Sequence, residues 1–379
     1  MKINWPVWPR YSEEHRSAIL RVIDSNQLYA ADEVAAFENE FSRYVGADYG
    51  IGMGNATQGL QLALAALGIG IGDEVLVTPY SWISSASCVL MQNAVPVFVD
   101  IETETFGLCP HALKKAITPR TKAVILVHMF GLCSKIREIL EICKNQGIHL
   151  IEDASHSHGA RFQGRHLGTF GKIGVFSLHQ RKAISTGDGG ILCTQDQEVA
   201  RRLKQLRSFG NDQLSYNYRM TEFSAALGRV GLRHLDKQND LRRWNHTRLA
   251  QTTNCEHLSV VEPMEGVIPV YYSNLIRINL PKDKQNRLLE KANERGIPLK
   301  RTWQPLHQHP HFQRKNMINS WAPWDFKGAP FTEPANLRLP NSEKYQKEIL
   351  FELDCHPMVE VEKVEQAGIW LREAATRGL

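Results

Sequence analysis

The chain reads as an α/β protein: a large part with a mostly parallel sheet covered by helices on both faces, then a smaller α+β part. Three observations predict this. Between residues 58 and 152, short apolar runs of strand length alternate with helical patterns, as crossover connections between parallel strands require. After about residue 245 that alternation stops. The length of 379 residues exceeds one ordinary core, so two units are expected, residues 1–242 and 243–379.

The elements follow in order. Residues 12–24 and 34–44 are helical by apolar spacing. The 58–67 run is a helix through Leu60, Leu62, Ala63, Leu64 and Leu67, and 74–79 is a short buried strand. Helix 84–92, strand 95–99, helix 111–117, strand 123–127, helix 134–146 and strand 148–152 complete the alternation. Beyond it, 190–194 reads as a strand, 197–209 as a helix, and 221–242 as a long helix with an Ala/Leu/Gly face, placed to link the two units. In the second part 271–280 alternates like a strand, 283–294 is amphipathic, a loop rich in Pro, His and Trp runs over 303–324, and 359–375 is a closing helix.

Composition excludes several classes. With 42% hydrophobic and 22% charged residues the chain is of ordinary globular make-up, and its core needs no disulfide or metal staple. A net charge of +5, with no Lys/Arg run interleaved with aromatics, argues against a nucleic-acid partner. Seven scattered cysteines without a CxxC pair predict reduced thiols and a cytoplasmic protein. The start, Met1-Lys2-Ile3-Asn4-Trp5-Pro6, lacks the apolar core of a signal peptide, and no apolar run approaches the roughly 20 residues of a membrane span.

The chemistry centres on Lys182. It lies in Phe176-Ser177-Leu178-His179-Gln180-Arg181-Lys182 and is followed by Ala183-Ile184-Ser185-Thr186-Gly187-Asp188-Gly189-Gly190. A hydroxyl five residues before a lysine, with a glycine-rich turn after it, suits a Schiff-base site: the serine holds a phosphate while the amine reaches an aldehyde on the same small cofactor. Upstream, Ile151-Glu152-Asp153-Ala154 is a buried strand with an acid at its mouth. Lysine, acid and phosphate-binding hydroxyl are what pyridoxal phosphate (PLP) requires of a protein. Ligands of such sheets sit at the carboxyl ends of the strands, where Asp153 and the 78–82 loop fall.

These blocks, with Asn55-Ala56-Thr57-Gln58-Gly59, Pro79-Tyr80-Ser81-Trp82 and Tyr216-Asn217-Tyr218-Arg219-Met220-Thr221, resemble in order the DegT/DnrJ/EryC1/StrS sugar aminotransferases, PLP enzymes of fold type I. The resemblance covers residues 12–235 and, more weakly, 303–312. It implies that Lys182 is the Schiff-base lysine and proton shuttle, where dehydratase relatives carry histidine. It implies that Asp153 pairs with the pyridinium nitrogen; the plain structural reading of this residue is a helix N-cap. His156 falls where the family places a Gln or His near the cofactor's phenolic oxygen, while His158 reads as structural. Trp82 matches the aromatic that stacks on the ring. Ala56, Thr57 and Gln58 open a helix whose N-terminus suits the phosphate, with Ser177 as the second hydroxyl. Asn217 and Arg219 match a block that reaches the neighbouring subunit's site, which implies a homodimer with composite sites.

The chain also departs from the family pattern. Ala56 stands where glycine is usual, Gly187-Asp188-Gly189-Gly190 replaces Gly-Glu-Gly-Gly, and Tyr29-Ala30-Ala31-Asp32 replaces a Gly-Pro segment on the substrate side. The expected reaction is amino transfer from an amino acid, glutamate by preference, to a keto-sugar carried on a nucleotide. Such a product would serve amino-sugar or polysaccharide biosynthesis. His179 leans towards that branch, whereas Trp5-Pro6-Val7-Trp8-Pro9 leans towards relatives acting on keto-cyclitols. Two further readings are an aminotransferase with a small keto-phosphate acceptor and a non-catalytic relative that binds PLP. The His307-Gln308-His309-Pro310-His311 cluster has metal-like spacing, but it sits in the segment that forms the active-site rim in relatives, so no metal is expected.

Overall fold

The computed structural model describes residues 2–29, 31–209, 214–313, 336–345 and 350–377. Of the segments discussed above, Ala30 and the 314–324 part of the Pro/His/Trp loop lie outside these residues.

Two helices, α1 (Glu13–Ser25) and α2 (Asp32–Val45), precede the sheet. Then come β1 (Tyr49–Met53), α3 (Ala56–Ala66), β2 (Glu74–Val77), α4 (Ser84–Met91), β3 (Val95–Phe98), α5 (Pro110–Ala116), β4 (Thr121–Val127), α6 (Ile136–Gln146) and β5 (His149–Asp153). A short hairpin, β6 (Arg161–Phe162) and β7 (Arg165–His166), leads to β8 (Ile173–Ser177), β9 (Gly190–Thr194) and α7 (Gln197–Arg207). The long α8 (Glu222–Thr253) leads to β10 (Leu258–Val260), β11 (Val267–Ile268), β12 (Asn274–Ile278), α9 (Lys282–Glu294) and β13 (Lys300–Arg301). The described chain closes with α10 (Pro310–Gln313), α11 (Pro340–Lys344), β14 (Leu350–Leu353) and α12 (Val361–Arg377).

Seven strands form the main sheet in the order β1-β9-β8-β5-β4-β2-β3. The β2–β3, β2–β4, β4–β5 and β5–β8 pairs are parallel, while β9 runs antiparallel to both β1 and β8. The sheet is therefore mostly parallel, with β9 the reversed strand. Strands β2, β8 and β9 are buried at every position, as a sheet with both faces covered requires. The second sheet, β10-β12-β14-β13, is antiparallel and packs with α9 and α12 around Leu288, Ala292, Val364 and Leu371.

Sequence and structure diverge at specific elements. The pattern of β1 is broken by Gly50 and Gly52, which obscures the strand. Gly50 is there because a Cβ would lie 2.4 Å from the Glu38 carbonyl oxygen. Helix α8 runs on to Thr253 rather than stopping near 242, because Leu249 and Ala250 enter the second apolar cluster beside Ala367 and Leu371 of α12. Strand β12 covers only Asn274–Ile278: Tyr271 has φ of 44° and its ring stacks on His246, so the extended run begins after it.

Candidate active site

One end of the main sheet gathers the chemistry. The carboxyl ends of β5 and β8 bring Asp153 and Ser177 there, and the residues after β1 and β2 lead into α3 and the Thr78–Trp82 loop. Register ties them together: Gly190, the first residue of β9, pairs with both Met53 and Ser177. A Cβ at Gly190 would stand 2.7 Å from the Ala56 nitrogen, so glycine lets the start of α3 pack directly on the sheet edge.

Lys182 lies on the loop joining antiparallel β8 and β9. That loop is closed by Leu178 N–H to Gly189 O, Thr186 N–H to Leu178 O and Gln180 N–H to Gly187 O, at 2.9, 2.9 and 2.8 Å. Gly187 takes φ of +86°, which explains the glycine at that turn. The half-buried Lys182 extends its Nζ to 4.7 Å from the centre of the Tyr272 ring. The surrounding protein mass pushes the ammonium down to about 8, against the opposing pull of Asp153 and Glu352. A substantial neutral fraction near pH 8 is what a nucleophilic amine needs.

Asp153 is buried. Its Oδ2 accepts from Ser85 Oγ at 3.1 Å, and Ser85 Oγ lies 2.8 Å from Ser81 Oγ. Its Oδ1 accepts the Ser155 N–H at 3.1 Å, closing a turn with no helix after it, so an N-cap role has no helix to cap. His156 is buried and stacks flat on Tyr272, 3.9 Å between ring centres and 5° between planes. Its Nδ1 accepts the Phe130 N–H at 3.3 Å, which leaves Nε2 as the protonated nitrogen. Burial, then the Lys182 charge, hold its pKa well below the usual histidine value, so the ring is neutral. His158 is buried against Phe41 and Phe176, and burial takes it down to about 3, in keeping with a structural residue.

At the start of α3, Asn55 Oδ1 accepts the Gln58 N–H at 2.9 Å, and Thr57 Oγ1 lies 2.7 Å from Ser84 Oγ. First-turn N–H groups of a helix have no partner within it, so those of Ala56 and Thr57 are the ones left for an anion. The Gln58 backbone donor is already engaged, and its side-chain Oε1 is buried without a partner. Ser177 Oγ accepts the His179 N–H at 3.3 Å. Trp82 stands at the mouth, 62% exposed, its ring edge-on to Trp303. Asn217 and Arg219 lie along the sheet's margin, bridged to Ser208 and Met53 respectively. Asn217 is exposed, and the Arg219 guanidinium is stacked between Tyr29 and Phe209 and donates to the Tyr29 hydroxyl. Phe209 is itself exposed, as is Leu214 nearby in the chain.

Sequence reasoning missed Ser85, Tyr272, Trp303 and the contact that Trp8 makes. Ser85 lies one helical step past Trp82, and a hydroxyl facing the acid was its only signal. Tyr272 lies far along the chain from Lys182, with no spacing to connect them. The His307 cluster resolves into ordinary bonds: His307 Nε2 sits 3.0 Å from Glu343 Oε1, and the His309 and His311 rings pack on each other.

A lysine with a lowered pKa, a buried acid at a strand end and a helix N-terminus lie together at one end of this α/β sheet, and the fold is that of the PLP-dependent aminotransferases of fold type I. The chain belongs to the DegT/DnrJ/EryC1/StrS aminotransferase family, whose model matches residues 9–368. It is similar to the L-glutamine:2-deoxy-scyllo-inosose aminotransferase of Streptomyces kanamyceticus, 34% identical over 81% of this chain and 79% of that one. Similarity to the dTDP-3-amino-3,4,6-trideoxy-alpha-D-glucose transaminase of Streptomyces venezuelae is 37% over 68% of each chain. Among solved structures, 3-amino-5-hydroxybenzoic acid synthase superimposes with a TM-score of 0.88 at 27% identity, over the full length of both chains. No helix among the described residues is long and apolar enough to cross a membrane, and all seven cysteines are free thiols.

Proposed function

We propose that this enzyme moves an amino group from an amino acid to the ring ketone of a nucleotide-linked keto-sugar. The observation that carries the aminotransferase reading is the Lys182 amine, lowered to about 8 and held over Tyr272 at the sheet end where Asp153 and α3 converge. In this reading residues 1–242 supply the cofactor-holding unit and 243–379 the smaller one. The bound cofactor supplies an aldehyde and an electron-withdrawing ring.

The protein's own residues do the rest. Lys182, part neutral near pH 8, would hold the cofactor through its aldehyde carbon and would take and return the proton at the substrate carbon. Asp153, fixed by Ser85 and the Ser155 N–H, holds a proton on the ring nitrogen. Trp82 covers the ring face, and His156 offers its Nε2 proton to the phenolic oxygen. The N–H groups of Ala56 and Thr57, with the Thr57 and Ser177 hydroxyls, hold the phosphate. Asn55 caps that helix start by accepting the Gln58 N–H, which leaves Gln58 its side chain to offer. Asn217 and Arg219, the latter stacked on the exposed Phe209, complete the site of a second copy. A cytoplasmic homodimer is the form proposed.

A second acceptor, a free keto-cyclitol, is favoured by one specific observation: the Trp5-Pro6-Val7-Trp8-Pro9 run lies against the lysine loop, with Trp8 Nε1 donating to the Lys182 carbonyl at 3.2 Å. The cyclitol aminotransferase relative supports the same reading. Amino transfer assayed with a dTDP-linked keto-sugar and a keto-inositol, each with glutamate and glutamine, separates the two. Turnover of the nucleotide-linked ketone alone supports the first reading; turnover of the keto-inositol alone overturns it.

A further inference from the structure

The N-terminal segment crosses between the second sheet and the lysine loop, tied at both ends. At the second-part side, the Ile3 N–H donates to Arg295 O at 2.7 Å, Trp5 Nε1 to the Asp354 carbonyl at 3.0 Å, and the Pro6 carbonyl lies 3.0 Å from His356 Nε2. At the loop side, Trp8 Nε1 donates to the Lys182 carbonyl at 3.2 Å, and Tyr11 OH lies 3.0 Å from Ser185 Oγ. The indole of Trp8 is itself held. The Arg242 guanidinium lies over it at 5.0 Å, and the His356 ring packs beside it at 5.7 Å. Arg242 is buried in α8, bonded to Asn239 at 3.3 Å, and its charge is felt at both Asp354 and Tyr272.

Lys182 is thus gripped twice. Its main chain hangs from Trp8, and its ammonium rests on the Tyr272 ring. Arg242 stands beside both supports. A single N–H···O bond contributes little to stability, but this one acts on the main chain of the residue whose amine must be aimed. A small rotation there is magnified along a four-carbon side chain, and misplacement of a reacting group by about 1 Å is enough to slow a reaction roughly a hundredfold.

We infer that residues 3–11 form a strap that sets the orientation of the lysine loop, with Trp8 as the positioning residue for Lys182. The inference rests on the reading of Lys182 as the cofactor's lysine. Trp8 touches no reacting atom; it acts through the Lys182 carbonyl and through the stacked Arg242.

The test uses full-length PLP-loaded protein. Trp8→Phe removes the indole N–H and keeps an aromatic ring; Trp5→Phe removes a strap bond that does not reach the lysine loop. Two readouts are taken: the pH titration of the lysine-linked cofactor's visible band, and kcat and KM for the amino donor. Trp8→Phe is expected to move the titration midpoint by half a unit or more, about threefold in the protonation ratio. It is also expected to lower kcat at least fivefold with KM within twofold. Trp5→Phe is expected to titrate like wild type even where it melts earlier. A Trp8→Phe protein indistinguishable from Trp5→Phe in titration and kcat overturns the inference. Where Trp8→Phe does not fold, Arg242→Lys is titrated instead, since it keeps the charge felt at Tyr272 and loses the planar stack on Trp8: a displaced midpoint supports the strap and an unmoved one overturns it. A wild-type protein with no lysine-linked band fails at the underlying reading, and the inference falls with it.

Discussion

At the scale of single residues, burial lowers the pKa of the Lys182 amine and Asp153 is buried against the Ser85 hydroxyl. Lys182→Ala is expected to abolish transfer and the coloured complex while leaving circular dichroism unchanged; retained turnover would sink the assignment. Asp153→Asn can still accept the Ser155 N–H and donate its amide N–H to Ser85 Oγ, but it cannot hold a proton on a ring nitrogen, so cofactor uptake should persist while kcat falls at least a hundredfold, on the order of 3 kcal/mol. The lowered lysine also has a linkage signature. Its folded pKa, about 8, lies below the unfolded 10.5. Below pH 8 the cofactor-free protein carries the full penalty of a charged, desolvated ammonium. Between pH 8 and 10.5 the folded state releases that proton first and gains stability. Urea midpoints across this window should therefore show a rising contribution in wild type that Lys182→Met lacks. That Lys182, Asp153 and Ser177 come together was legible because Asp153 and Ser177 end strands and Lys182 follows one, each in a short motif. Tyr272 and Arg242 were not, because they join Lys182 only once α8 and β12 have folded back over the sheet.

At the scale of elements, the start of α2 shows why some structure is silent in sequence. Ala31 is its N-cap position and has no side-chain acceptor. The acceptor is Glu222 of α8, 1% exposed, whose carboxylate takes the N–H groups of Ala31, Glu33 and Val34 at 2.7, 2.8 and 3.1 Å. Charged hydrogen bonds of this kind contribute more than neutral ones. Glu222→Ala is expected to lower stability by about 3 kcal/mol, read as a reduced urea midpoint at unchanged slope; a loss below about 1 kcal/mol would rule this cap out as a stabilising feature. The alternating strands and helices of residues 58–152 were legible because each apolar run is bounded by a turn. Strand β1 was hidden by the glycines that let it approach α2.

At the scale of the whole molecule, Trp82, Phe209 and Leu214 are among the large apolar side chains left exposed. The Arg219 guanidinium is stacked on Tyr29 and on the exposed Phe209. A second copy placed on this face would cover the aromatic rim and deliver Arg219 into its neighbour's site. Light scattering is expected to give twice the chain mass. Lys182→Ala and Arg219→Ala proteins, each inactive alone, should regain activity when mixed and allowed to exchange, since random pairing restores about a quarter of the sites. A monomer, or no recovery on mixing, would refute the composite site. The family and the sheet were legible at this scale from motif order, whereas the acceptor was not, because it depends on rim residues drawn from separate parts of the chain.

Lys182 as the lysine that holds the cofactor is tested by one spectrum. Visible absorption of the purified protein with PLP is recorded before and after glutamate or glutamine, in wild type and in Lys182→Ala. The expected result is a band in wild type that the variant lacks and that bleaches when the amino donor is added. A wild-type protein without the band, or a variant with a band of equal strength, would contradict that role.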